Sequence, residues 1–168
     1  WKTKGHGNMD VVSAIKESCD VFFYNLSIKV GIDRIAEVAK DFGLGQTYNV
    51  KLLNQKEGII PNKKWKKNTY KESWYGGETL NAAIGQGYVL TSPLQLAIMT
   101  ARIASGGKKI NPSILKISKK TSFNNMNKYA ESLKIIKEAM FKVVNESKGT
   151  AINSKANNFN FSGKTGTS

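Results

Sequence analysis

Three short stretches carry side chains whose types and spacing suit chemistry. Ser18-Cys19-Asp20 sets a hydroxyl and a carboxylate two residues apart, where a helical pattern resumes. Such a pair can pass a proton or accept a hydrogen bond, and it serves equally well as the cap of a helix at Val21. Lys164-Thr165-Gly166 offers a charge and a hydroxyl to an anion, beside a glycine that lets a ligand approach the backbone. Ile84-Gly85-Gln86-Gly87-Tyr88 is a glycine-bounded turn ahead of Thr91-Ser92-Pro93. On its residues alone it is a tight structural corner. Cys19, between the two functional candidates, reads as a small packed side chain.

These residues need elements to hold them. Val11, Val12, Ala14 and Ile15 predict a short helix over 10–17 with Asp10 as its cap. Phe22, Phe23, Leu26 and Val30 predict a second over 21–30. Asp33 is read as the cap of a third, which runs to about Phe42 and is closed by Gly43 and Gly45. Residues 46–77 read as irregular and too long for an ordinary connection. Pro93 starts the next helix, which stops at Gly106-Gly107. The alternation over 108–118 predicts one or two short strands. The longest helix is predicted over 129–146, with an apolar stripe of Leu133, Ile136, Met140, Val143 and Val144. Phe159, Phe161 and Gly163 alternate with Asn160, Ser162 and Lys164, predicting a strand that ends in Lys164-Thr165-Gly166-Thr167-Ser168. Helices ahead of a strand, without regular alternation, predict an α+β protein.

Composition removes several classes of function. The 168 residues are 40% hydrophobic and 23% charged, enough for the core of one domain and too apolar for a disordered chain. No stretch approaches the roughly 18 apolar residues of a membrane helix. One cysteine and one histidine exclude an internal disulfide framework and an ordinary zinc finger, so neither metal nor cofactor is expected. A net charge of +14 raises the question of nucleic acid. All but two of the 26 basic residues are lysine, however, the exceptions being Arg34 and Arg102, and base-edge recognition favours the arginine fork. Sixteen asparagines accompany them, a pattern of AT-rich coding bias. The densest basic run, Lys63-Lys64-Trp65-Lys66-Lys67 with Tyr70-Lys71, reads as a solvated loop anchored by Trp65, and no nucleic-acid partner is expected.

The order of the motifs narrows the field. Ser-x-Asp, then Gly-Gln-Gly with its Ser-Pro-Leu-Gln-Leu-Ala helix, then Lys-Thr-Gly-Thr resembles the transpeptidase domain of class B penicillin-binding proteins. Trp1 with Gly5-His6-Gly7, the run Ser18 to Tyr24, Val30-Gly31-Ile32-Asp33-Arg34, Phe42-Gly43-Leu44-Gly45 and Trp74 to Asn81 resemble its elongation branch, penicillin-binding protein 2. Asp20 stands where many relatives have Asn.

The resemblance implies part of a penicillin-binding protein/β-lactamase-like fold, mainly its helical subdomain plus the strand carrying Lys-Thr-Gly. Residues 1–168 would be one transpeptidase domain truncated at both ends. The family's acylated serine and its lysine, Ser-x-x-Lys, are read as lying upstream and absent from this chain. The implied roles follow residue by residue. Ser18 relays a proton, and Asp20 accepts from the substrate amide. Lys164, Thr165 and Thr167 clamp a terminal carboxylate. The Thr167 N–H is one of two oxyanion donors, a contact worth roughly 100–1,000-fold in rate. Gly85, Gln86, Gly87 and Gly166 shape the cleft. Implied partners are D-Ala-D-Ala stem peptides, β-lactams and a membrane glycosyltransferase, on the periplasmic side of a bacterial inner membrane. A non-catalytic penicillin-recognising sensor is the alternative.

Overall fold

The computed structural model describes residues 5–50, 54–115 and 122–166. Among them are seven α-helices: α1 (Val11–Lys16), α2 (Asp20–Val30), α3 (Ile32–Asp41), α4 (Lys63–Tyr70), α5 (Gly76–Ala83), α6 (Pro93–Ala104) and α7 (Ala130–Asn145). Short 3₁₀ turns occupy Asn127–Tyr129 and Ile152–Ser154. The chain divides into two compact units. One comprises the chain up to Phe23 together with everything from Lys128 onward; the other is Tyr24–Asn127. No helix among the described residues is long and apolar enough to cross a membrane.

Helix ends follow local chemistry. Asp10 caps α1 by accepting the Ser13 N–H at 2.7 Å, and that backbone bond holds its carboxyl below the usual carboxylate range. Ser92 and Asn62 cap α6 and α4 in the same way. At the other end, α3, α5 and α6 each close on a left-handed residue whose N–H, with that of the next residue, reaches back to carbonyls of the last turn. That residue is Gly43, Gly85 and Gly106 respectively. Helix α1 closes identically, but on Ser18.

In the first unit α1 packs along α7, burying Ala14, Leu133, Ala139, Val143 and Val144. Each fully buried Val or Leu contributes about 1.5–3 kcal/mol. Residues 159–166 form no strand. The Gly163 N–H goes to the Met140 carbonyl at 3.1 Å, and the Phe161 carbonyl accepts from Asn145 at 2.8 Å. A run becomes a strand only when a neighbouring strand takes its backbone groups, and here the bonds made go to α7. The strands expected over 108–118 reduce likewise to one antiparallel bridge, Lys108 with Asn125; residues 116–118 lie outside the described residues.

In the second unit α3 packs against α5 over a core that includes Ile32, Ala36, Phe42, Ala82 and Ile98. The cap of α3 is Gly31 rather than Asp33, which sits in the first turn and accepts the Lys63 N–H at 3.1 Å. Residues 46–77 are not irregular throughout, since they contain α4 and the start of α5. The sequence hides α4 because one of its buried positions is a lysine: Lys66 is 1% exposed and its ammonium is hydrogen-bonded to the Glu78 carboxylate. Two buried polar side chains fix the connections. Gln95 donates to the Gln46 and Glu57 carbonyls, both at 2.8 Å. Arg102 donates to the carbonyls of Asp41 (2.7 Å) and Ile110 (3.1 Å), so this arginine is structural.

Candidate active site

Ser18 holds φ +52°, a conformation that costs a non-glycine residue about 1–2 kcal/mol. Three other helices put glycine at the same position. The conformation is fixed by two backbone bonds, from the Ser18 N–H to the Ile15 carbonyl at 3.4 Å and from the Cys19 N–H to the Ala14 carbonyl at 2.9 Å. Strain of this kind collects at functional sites, where the surrounding fold over-determines it. Ser18 is therefore the closing residue of α1, not the cap of the next helix. Cys19 tucks inward, 5% exposed, as expected of a packed thiol, and Asp20 opens α2 exposed to solvent.

The fold brings Lys164 to Ser18 across 146 residues of sequence, with Nζ 2.5 Å from the Ser18 Oγ. The ammonium also reaches the Thr165 carbonyl and the Thr165 Oγ1, each at 3.2 Å. Thr165 Oγ1 in turn lies 3.3 Å from the Ser18 Oγ. A third hydroxyl, which the sequence reading missed, completes the group. Thr150 Oγ1 is 2.9 Å from Thr165 Oγ1 and 3.3 Å from Ser18 Oγ.

Thr150 arrives there by local backbone geometry. Lys148 takes a left-handed turn just past α7, and the buried Gly149 passes so close to the helix end that a Cβ would lie 2.3 Å from the Val143 carbonyl oxygen. The Thr150 N–H then donates to the Lys16 carbonyl at 3.2 Å, two residues before Ser18. The only trace of this in the sequence is a glycine soon after the helix end, a common helix-stop signal.

Lys164 is exposed as a residue, yet partial desolvation of its ammonium lowers its pKa below the ordinary lysine value, and the Asp20 charge only partly opposes this. Among the described residues no carboxylate lies within ion-pair distance of Lys164. A cation whose protein partners are all neutral oxygens is suited to receive a ligand's anion. The adjoining hydroxyls can move a proton to or from that ligand.

The remaining candidates fall as follows. An added Cβ at Gly166 would meet no protein atom within 4 Å, so packing does not demand glycine there. Thr167 lies outside the described residues. Gly85, Gln86 and Gly87 belong to the second unit, where Gly85 closes α5. By letter, Ser13-Ala14-Ile15-Lys16 spells Ser-x-x-Lys ahead of Ser18, against the reading that none occurs in the chain. Lys16 is ion-paired with Glu146 at 3.6 Å. The basic run around Trp65 is a helix, not a loop. Trp65 packs edge-on against Tyr70 and tilted against Tyr88, with centroids 5.7 and 5.2 Å away, which commits these rings to one another. No metal-binding cluster of His, Cys, Asp or Glu occurs among the described residues.

Comparison with known proteins places the chain in a family. The family described as "Penicillin binding protein transpeptidase domain" matches residues 1–168. The peptidoglycan D,D-transpeptidase MrdA of Salmonella typhimurium is 39% identical over 115 residues, which is 68% of this chain and 18% of that protein. The MrdA of Acinetobacter baumannii is 36% identical over 180 residues, covering 99% of this chain and 26% of its own length. The chain thus spans about a quarter or less of these curated relatives. The Helicobacter pylori penicillin-binding protein (PBP2), solved in complex with MreC, superposes with a TM-score of 0.90 at 34% identity over 99% of this chain and 32% of its own.

Proposed function

We propose, from the premise that this chain belongs to the penicillin-binding protein transpeptidase family, that it forms part of a peptidoglycan D,D-transpeptidase. In that reaction a serine attacks the carbonyl between the last two D-alanines of a stem peptide. The terminal D-alanine leaves with the serine's proton on its amine, and the acyl group then passes to an amine of a second stem. The chain supplies the middle and last motifs of the site. Lys164, Thr165 and Thr167 hold the substrate carboxylate. Ser18 passes the proton toward the leaving amine, Asp20 accepts from the substrate amide, and the Thr167 N–H steadies the oxyanion. Gly166 shapes the wall of the cleft beside Thr165.

The observation that carries this reading is the Lys164–Ser18 contact. It joins a strained hydroxyl to a cation that has no ion-pair partner among the described residues. As the family pattern implies, the nucleophile is a serine of a Ser-x-x-Lys segment other than Ser13–Lys16, whose lysine is ion-paired with Glu146. In the whole domain residues 159–166 pair as a strand, which gives the α+β architecture. The whole protein cross-links stem peptides, is acylated by β-lactams and works with a membrane glycosyltransferase on the extracytoplasmic face of the inner membrane.

A fluorescent penicillin incubated with the full-length protein tests this. Covalent labelling is expected for the unmutated protein and for Ser13→Ala, and its near loss for Lys164→Ala. Absence of label on the unmutated protein, or full label on Lys164→Ala, would overturn the reading.

A further inference from the structure

Thr150 lies outside the three motifs, yet its hydroxyl is the nearest neighbour of the Thr165 hydroxyl. We propose that Thr150 is a positioning residue: its hydroxyl directs the Thr165 proton outward, toward the carboxylate of the ligand. The inference rests on the transpeptidase reading and goes beyond it in assigning a fourth side chain to the anion site.

The argument is one of counting protons. The Lys164 ammonium can only donate, and it donates to Ser18 Oγ at 2.5 Å and approaches Thr165 Oγ1 at 3.2 Å. Three hydroxyls share three protons. If Thr150 donates to Thr165 across their 2.9 Å contact, both Thr165 lone pairs are occupied, one by Thr150 and one by Lys164. The Thr165 proton is then left for an acceptor outside the cluster. Thr150 can meanwhile accept from Ser18 at 3.3 Å, which keeps the cluster connected. Without the Thr150 hydroxyl, Thr165 has a nearer alternative, donating to Ser18 Oγ at 3.3 Å, and its proton turns inward. The backbone makes Thr150 rigid enough for the task. Gly149 is wedged against the end of α7, and the Thr150 N–H is tied to the Lys16 carbonyl.

The test uses the full-length protein and a penicillin with a free carboxylate, followed by stopped flow over a range of concentrations. This separates the Kd of the initial complex from the limiting acylation rate. Thr150→Val should raise that Kd about 3–10-fold, the span of one neutral hydrogen bond, and leave the limiting rate within about twofold. Thr150→Ser should restore binding. In a Thr165→Val background Thr150→Val should add almost nothing, because the group it acts through is gone. Thr150→Ala carries the same expectation if Thr150→Val does not fold. Unchanged binding by Thr150→Val overturns the inference alone. So does a penalty that persists in full beside Thr165→Val or is not rescued by serine, since either marks a packing role. An unmutated protein that is never acylated overturns the transpeptidase reading, and this inference with it.

Discussion

Lys164 and Lys66 each carry an ammonium into a polar cluster, one in each unit of the chain, and differ in what meets them. Around Lys164 stand the hydroxyls of Ser18 and Thr165 and a backbone carbonyl. Around Lys66 stand the Glu78 carboxylate, the Glu72 carboxylate at 3.6 Å and the face of Tyr75, 4.4 Å from the ring centroid. Desolvation pushes both lysines down, although Lys66 is buried and Lys164 is exposed as a residue. For Lys66 the hydrogen bond and charge of Glu78, helped by Tyr88 and Glu72, outweigh desolvation and raise its pKa; for Lys164 partial desolvation of the ammonium prevails and the pKa falls. A lysine given carboxylates by its own chain is committed to holding α4 against α5. A lysine given only neutral oxygens keeps an unmet charge for a ligand.

The largest effect expected of this contrast is on acylation. Lys164→Ala should weaken penicillin binding and slow acylation together, because charge and relay partner are lost at once. Ser18→Ala should lower mainly the limiting rate, by roughly 100–10,000-fold. Weaker binding with an intact limiting rate for Ser18→Ala would make the hydroxyl a holding group.

The second lysine should show the opposite profile. Lys66→Met strands two carboxylates, so the melting temperature should fall on the order of 10 °C while the limiting acylation rate of the folded protein stays within about threefold. Calorimetry showing no fall would mean that the Glu78 and Glu72 contacts of Lys66 add nothing net to stability. The pH dependence sharpens the point. With its folded pKa raised, Lys66 contributes stability that is complete below its unfolded value of 10.5 and lost as pH climbs through the higher folded one. Glu78, lowered by its bonds to Lys66 and the Tyr75 N–H against the opposing effect of burial, contributes above its unfolded value of 4.5 and loses this as pH falls through the depressed one.

A smaller effect compares two glycines. Gly149→Ala drives a Cβ to within 2.6 Å of two carbonyl oxygens at the end of α7, and should cost about 1–3 kcal/mol and displace Thr150. Gly76→Ala opens onto empty space at the start of α5 and should change stability by less than about 1 kcal/mol, in the stabilising direction. Equal denaturant midpoints for the two would show that the loop after α7 yields freely.

The smallest effect is titration of Lys164. Its pKa is lowered, so binding of a carboxylate-bearing penicillin should decline with rising pH before an ordinary lysine at 10.5 loses its proton. The loss is about twofold where half the ammonium has gone. Its stability sign is reversed from that of Lys66: the charged form costs the fold something, and the cost is relieved as pH rises. A binding profile flat up to 10.5 would remove the distinction between the two lysines.

Helices α1, α2, α3, α6 and α7 were legible because their signals are local. Asp10, Pro93, Gly43 and Gly106 mark ends within a few residues of the turns they control, and the stripe from Leu133 to Val144 repeats at the helical period. Helix α4 was not legible, because the residue that makes its inner face, Lys66, is charged and becomes compatible with burial only once Glu78 is folded beside it. The candidate site divides in the same way. Motif order and the family resemblance it carries, more than residue type alone, pointed to Ser18, Asp20, Lys164 and Thr165. That Ser18 occupies a position other helices give to glycine, and that Thr150 joins the group, depended on backbone geometry and on contacts made across more than a hundred residues.

By itself, then, the sequence determined the family, the order of the motifs and the helices whose caps lie next to them, because those depend on side-chain type and near-neighbour backbone chemistry. Only the tertiary structure decided which lysine is neutralised and which is left open. A lysine's charge is the same at every position, and whether carboxylates or hydroxyls surround it is set by segments that the chain brings together from far apart.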